Sequence, residues 1–196
     1  MTVSCCDARR PQIVARIAKK SAATRLPSAG MPRIFTVTVS DTRTVETDTS
    51  GPAMAEELSR NVGCDVVRHL IVPDDAAVLE KVIRDNAASG AVDAIVLSGG
   101  TGIAPRDVSY EAVSALFDKP LDGFGEAFRR LSWDEIGPRA ILSRAAAGTV
   151  GSCLVFLLPG SENGARLGTR ALIGPILGHA VDLVNGRTHH GTQGKK

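Results

Sequence analysis

The chain of 196 residues is 43% hydrophobic with a formal net charge of +2. That is enough for one domain with a sizeable core, and too close to neutral to argue for nucleic acid or an acidic membrane as partner. Aromatic residues make up 4%, so there is no stacking platform for single strands, and no apolar run approaches the roughly 18 residues of a membrane span.

Residues 1–31 carry Arg9, Arg10, Arg16, Lys19, Lys20 and Arg25 against Asp7. They lack the apolar run of a secretory signal and read as a solvated basic extension, with a docking or targeting arm as the alternative. From Arg33, RIFTVTVS is rich in β-branched residues and predicts a strand. GPAMAEELSRNVG predicts a helix with Ser50 as cap, Pro52 in the first turn and Gly63 as its stop. CDVVRHLIV is a second strand. DAAVLEKVIRDNAASG is a second helix, with Val78, Val82 and Ile83 at helical spacing and Asp74 as N-cap. VDAIVLS, apolar throughout, is a third strand of the kind covered on both faces. YEAVSALF and GFGEAFRRLSWDEIG follow as helices, with Phe128 and Trp133 expected in the core. SCLVFLLPG is a fourth strand, and Ser161 to Val184 a helix bent or broken at Gly174-Pro175. Residues 32–186 show no internal repeat and form one expected domain. Residues 187–196 are a frayed tail in which His189 and His190 are solvent-exposed rather than metal-binding.

Cys5, Cys6, Cys64 and Cys153 show no CxxC spacing and no matching histidine cluster, which argues against structural zinc. Cys64 and Cys153 lie in apolar runs and read as buried free thiols, which fits a reducing, cytoplasmic compartment.

Strands alternating with helices predict a parallel sheet covered on both faces. In such sheets ligands bind outside the carboxyl ends of the strands. The four predicted strands end in Ser40-Asp41, Pro73-Asp74-Asp75, the SGGTG loop and Leu158-Pro159-Gly160-Ser161. All are small, polar or acidic, as one crevice would require. In SGGTG, Gly99, Gly100, Thr101 and Gly102 let backbone N–H groups approach an anion. The loop matches neither GxGxxG nor GxxxxGK[ST], and such a turn is often only a tight turn.

Asp107 sharpens the question, because a bare carboxylate repels the phosphate that this loop should attract. Either it caps the following helix, or it holds Mg²⁺ that bridges carboxylate and phosphate oxygens. Asp74 has the same two readings, and two aspartates on one rim favour the metal. Ser143 and Arg144 in ILSRAAAG suit a terminal phosphate, although Arg144, like Arg106, also suits a surface ion pair. Glu126 reads as the polar face of a helix. His69 and His179, in apolar patterns, read as structural.

The segments TVSDTR, DTSG, IVPDD, LSGGTGIAPRDVS, ALFDKPLDGFGEAFRRLSWDEIG, ILSRAAAG and LVFLLPGS run in the order found in a known family. Over Arg33 to Val184 the chain resembles the MoaB/MogA family of molybdenum cofactor biosynthesis proteins, whose molybdopterin-binding domain also occurs in gephyrin. The run from GFGEAFRRLS to EIG is most similar to the MoaB branch.

The resemblance implies a three-layer α/β/α sandwich with a mostly parallel sheet, assembled as a homotrimer or a hexameric dimer of trimers. It implies adenylylation of molybdopterin by Mg-ATP, giving adenylyl-molybdopterin and pyrophosphate, with other enzymes of the pathway as further partners. Asp74 and Asp107 match the catalytic, Mg²⁺-associated aspartates. Gly99, Gly100, Thr101 and Gly102 match the phosphate loop, and Ser143 a molybdopterin-phosphate contact. Pro159, Gly160 and Ser161 match the pterin-side loop, and Ser40 and Asp41 the strand-end residues near the nucleotide. Tyr110 stands where proline is usual, and Glu162 and Asn163 stand where proline and small residues are common. Because the MoaB branch includes pterin binders with weak or no transferase activity, a molybdopterin-binding scaffold is the alternative reading.

Overall fold

The computed structural model describes residues 30–187. The basic stretch from Arg9 to Arg25, Cys5, Cys6, His189 and His190 lie outside the described residues.

The strands are β1 (Arg33–Val39), β2 (Asp65–Val72), β3 (Ala94–Ser98), β4 (Lys119–Pro120), β5 (Ala146–Val150) and β6 (Cys153–Leu158). The helices are α1 (Ser50–Glu56), α2 (Ala76–Ala88), α3 (Ser109–Ser114), α4 (Asp122–Ile136), α5 (Glu162–Gly168) and α6 (Gly174–Val184). One six-stranded sheet runs in the order β2-β1-β3-β6-β5-β4. The β1–β2, β1–β3 and β3–β6 pairs are parallel, and β6–β5 and β5–β4 are antiparallel.

Side-chain alternation explains the layers. Ile34, Ala94, Val96, Leu154 and Phe156 pack on one face with Met54, Leu58, Phe128, Ala165 and Leu177 from α1, its continuation, α4, α5 and α6. Phe35, Val37, Ile95, Leu97 and Val155 pack on the other with Leu79, Ile83 and Val113 from α2 and α3. The sheet is therefore covered on both sides, and all five residues of β3 are buried, which is why that strand reads as apolar up to its terminal Ser98.

Several local expectations are corrected. Two strands, β4 and β5, were not legible. Ala146-Ala147-Gly148 has neither branched side chains nor alternation, and β5 takes its place through pairing with β6 across a two-residue turn that begins at Gly151, φ 58°. Ser50 is not the cap of α1. The Asp48 carboxylate instead accepts from the Gly51 amide at 3.0 Å. Asp75, not Asp74, caps α2 by accepting from the Val78 amide at 3.0 Å, its backbone being extended where Asp74 is not the flanking residue. The last helix does not break at Gly174-Pro175. A π-helical stretch, Thr169–Ile173, precedes it, and Pro175 falls in the first turn of α6, where no N–H is needed. Trp133 is 47% exposed. The buried stripe of α4 is Phe124, Gly125, Phe128 and Ser132, and Trp133 lies about 100° past Ser132.

Cys64 and Cys153 are buried free thiols. Burial pushes Cys64 up to about 11, and burial with the nearby Asp93 charge pushes Cys153 to about 12, so neither is a nucleophile near neutral pH. Among the described residues no helix is long and apolar enough to cross a membrane.

Candidate functional site

The carboxyl ends of β1, β2, β3 and β6 converge on the glycine loop. Ser98, the last residue of β3, donates from its hydroxyl to the Pro159 carbonyl at 2.9 Å. The Gly99 amide donates to the Leu158 carbonyl at 3.0 Å. At φ 128°, a Cβ on Gly99 would lie 2.1 Å from the Val39 carbonyl oxygen. The loop therefore passes between the ends of β1 and β6 with no room for a side chain.

The same close approach brings both aspartates to the loop. A Cβ on Gly100 (φ 62°) would meet the two Asp74 carboxylate oxygens at 2.5 and 2.6 Å, and a Cβ on Gly102 would meet Asp107 Oδ2 at 2.4 Å. Each carboxylate is held by one oxygen. Asp74 Oδ1 accepts from the Ser109 hydroxyl at 2.8 Å, and Asp107 Oδ2 accepts from the Ala104 amide at 3.0 Å. No hydrogen bond from a described residue reaches Asp74 Oδ2 or Asp107 Oδ1. Asp107 does not cap α3, whose first turn has no side-chain cap. It turns back onto its own loop, so the capping reading of this residue fails.

The remaining residues take distinct places. Asp41 Oδ1 accepts from the Asp74 amide at 3.1 Å, which ties the end of β1 to the end of β2. The Ser40 hydroxyl accepts from the Arg43 amide at 3.1 Å and shapes the turn after β1. Arg43 then crosses to the fourth strand end, donating to the Gly160 carbonyl at 3.0 Å. Ser161 caps α5, accepting from the Gly164 amide at 3.2 Å. The Ser143 hydroxyl is buried without a partner, which a native structure rarely tolerates without a reason. Arg144 donates to the carbonyls of Thr101, Gly102 and Asp107 and to Glu111. Its guanidinium holds the Glu111 carboxyl below the usual carboxylate range. Arg106 and Glu126 are exposed, and His179 is exposed on α6 rather than buried.

Sequence reading missed Ser109 and a network around the buried Asp48. Asp48 Oδ2 accepts from the Thr38 hydroxyl at 2.8 Å and meets His69 Nε2 at 3.0 Å. Asp48 Oδ1 accepts from the Gly51 amide and the Ser50 hydroxyl. His69 Nδ1 lies 2.9 Å from the Thr36 hydroxyl. Burial alone would push Asp48 up, but the Gly51 amide, the Thr38 hydroxyl and His69 together hold it below its usual range. His69 is therefore structural. The signal for this network was present in the sequence as DTSG following a strand that carries Thr36 and Thr38.

A mixed, largely parallel sheet with a carboxylate-flanked glycine loop at its strand ends defines an α/β protein with a candidate strand-end site. Comparison with known proteins narrows this class. Residues 35–179 match the family model described as "Probable molybdopterin binding domain". The chain is 47% identical over 144 residues to molybdenum cofactor biosynthesis protein B of Bacillus cereus, covering 73% of this chain and 85% of that one. It is 45% identical over 150 residues to the protein of the same name from Bacillus subtilis, covering 76% and 88%. A crystal structure of molybdenum cofactor biosynthesis protein B superposes with a TM-score of 0.76 at 44% identity, covering 83% of this chain and 99% of that chain. The chain belongs to the molybdopterin-binding domain family of molybdenum cofactor biosynthesis proteins, and its fold is that of the MoaB and MogA structures.

Proposed function

We propose that this protein is a molybdopterin adenylyltransferase, which transfers AMP from Mg-ATP to the terminal phosphate of molybdopterin. The observation that carries this reading is the pair Asp74 and Asp107. Each is fixed by one oxygen against a glycine of the same loop, and each keeps one oxygen without a described partner. An anion loop flanked by two half-satisfied carboxylates needs a cation to be occupied by phosphate. The donor set fits Mg²⁺, which binds through one or two carboxylates plus substrate phosphates and keeps several waters. Among the described residues no group of three or more His, Cys, Asp or Glu is placed to hold a metal, so a site built by the protein alone is not the model here. Mg²⁺ bound there would neutralise charge on the two phosphates.

The reaction joins an oxygen of the molybdopterin phosphate to the α-phosphorus of ATP and breaks the bond to the bridging oxygen, releasing pyrophosphate. The attacking phosphate is already ionised near neutral pH, so no general base is required. The chain's part is to position two anions and offset their charge. Gly99, Gly100 and Gly102 present backbone without side chains. The orphaned Ser143 hydroxyl is the natural contact for a molybdopterin phosphate oxygen, and the Pro159-Gly160-Ser161 turn lies on the pterin side. Ser40 and Asp41 lie toward the nucleotide. Trp133, Ile136, Ile141 and Leu142, all about half exposed or more, support assembly of copies into a trimer or hexamer, and the unreactive thiols fit a reducing, cytoplasmic setting.

Single-turnover incubation with molybdopterin and Mg-ATP tests the reading. The transferase releases one pyrophosphate per site and forms adenylyl-molybdopterin. Tight molybdopterin binding with no pyrophosphate would instead assign the chain as a scaffold.

A further inference from the structure

Arg144 precedes β5 and reaches under the glycine loop. A guanidinium carries five N–H groups in a fixed fork. Here Nε donates to the Thr101 carbonyl at 3.1 Å, and Nη2 donates to the carbonyls of Gly102 and of Asp107. Nη1 binds the Glu111 carboxylate. Its guanidinium carbon lies over the ring of Tyr110, 4.9 Å from the centroid, a separation at which a cation is drawn to an aromatic ring. Four of the five N–H groups are thereby committed to the protein. A forked contact to phosphate uses two parallel N–H groups, and Arg144 has one to spare. It can grip a ligand phosphate only by releasing the loop.

The loop has little else to hold it. Ile103, Ala104, Pro105 and Arg106 are exposed. The Asp107 amide to Ala104 carbonyl bond, and the Ala104 amide to Asp107 carboxylate bond, are internal. Among the described residues, the hydrogen bonds that tie residues 101–107 to a part of the chain distant in sequence all come from Arg144. A segment with three glycines near it and few buried contacts opens locally unless cross-linked.

We propose that Arg144 is a positioning residue rather than a phosphate ligand: it clamps the carbonyl side of residues 101–107, with Tyr110 as its platform, and so fixes where the Asp107 carboxylate stands. The consequence for catalysis rests on the adenylyl-transfer reading of Asp107, whereas the clamp itself does not. Removing it frees the loop and moves Asp107 off station, which slows the chemical step more than it weakens ligand binding.

The test uses Arg144→Ala, Arg144→Lys, Tyr110→Ala and Tyr110→Phe in the full chain. Amide exchange at Ala104 and Asp107 is followed in the ligand-free protein, with β3 amides as the internal standard. Arg144→Ala accelerates both loop amides by about tenfold or more while β3 stays unchanged. Arg144→Lys keeps the charge but not the fork and exchanges nearly as fast as Arg144→Ala. Tyr110→Ala exchanges about threefold faster than wild type, and Tyr110→Phe, which keeps the ring, matches it. In turnover, Arg144→Lys lowers kcat by about a hundredfold and leaves the molybdopterin KM within about threefold. Unchanged loop exchange in the Arg144 variants overturns the clamp, as does intact kcat with a tenfold rise in KM, the signature of a lost phosphate contact. If Arg144→Ala does not fold, Arg144→Lys and Tyr110→Ala decide the matter. A wild-type protein that never turns over removes the adenylyl-transfer reading and leaves the exchange result to judge the clamp.

Discussion

Two acidic regions lie near the carboxyl ends of the strands and are built on opposite rules. Asp48 is 7% exposed, and both its oxygens are occupied, by Thr38 and His69 on one side and by Gly51 and Ser50 on the other. Asp74 and Asp107 are half-buried, and each has one oxygen bonded and one without a described partner. A carboxylate that serves the fold is fully satisfied, because leaving any part of it bare in the interior is costly. Under the proposed function, Asp74 and Asp107 are each anchored at one oxygen and leave the other for a ligand.

The largest expected effect lies on the structural side. Asp48→Ala strands the Thr38 hydroxyl, His69 and the Gly51 amide together, and should cost about 3 kcal/mol in denaturant unfolding. Asp74→Ala, by contrast, should cost no more than about 1 kcal/mol. Equal losses would break the comparison. Next is Gly100→Ala. At φ 62° with a Cβ 2.1 Å from the Ser109 hydroxyl, it should destabilise by about 1–2 kcal/mol and push Asp74 aside, seen as weakened Mg²⁺-dependent turnover. Ser109→Ala removes the one hydrogen bond that anchors the Asp74 carboxylate and should cost about 1 kcal/mol, with kcat falling further than molybdopterin affinity. The smallest effect is on acid stability. Asp48 is held below its usual range despite its burial, so its contribution is complete above about pH 4 and fades as pH falls through its folded value. Asp48→Asn should flatten that part of the curve. The part due to Asp93, also held low despite burial by Arg33, should persist.

The parallel half of the sheet was legible because its strands are long, apolar and β-branched. RIFTVTV and AIVLS announce a covered sheet whatever surrounds them. The antiparallel edge was not, since AAGTV and Lys119-Pro120 become strands only by pairing with what lies beside them. The site divides in the same way. The glycine loop and both aspartates could be listed from strand ends, and the sequence left open whether each acid was a cap or a ligand. Coordinates remove the capping reading: Asp75 takes the cap that Asp74 was expected to fill, and Asp107 folds back onto Ala104. Ser109 escaped notice because a serine two residues past an acid carries no pattern. Arg144 had two readings, and neither was an internal clamp, since carbonyl partners leave no trace in a sequence.

The central claim is that Asp107 holds the cation for adenylyl transfer and does not bind molybdopterin itself. The direct measurement is single-turnover adenylyl-molybdopterin formation by Asp107→Ala and wild type, with molybdopterin affinity measured in parallel. The account predicts product formation slowed by about a hundredfold or more and an affinity within about threefold of wild type. Undiminished product formation by Asp107→Ala would contradict it.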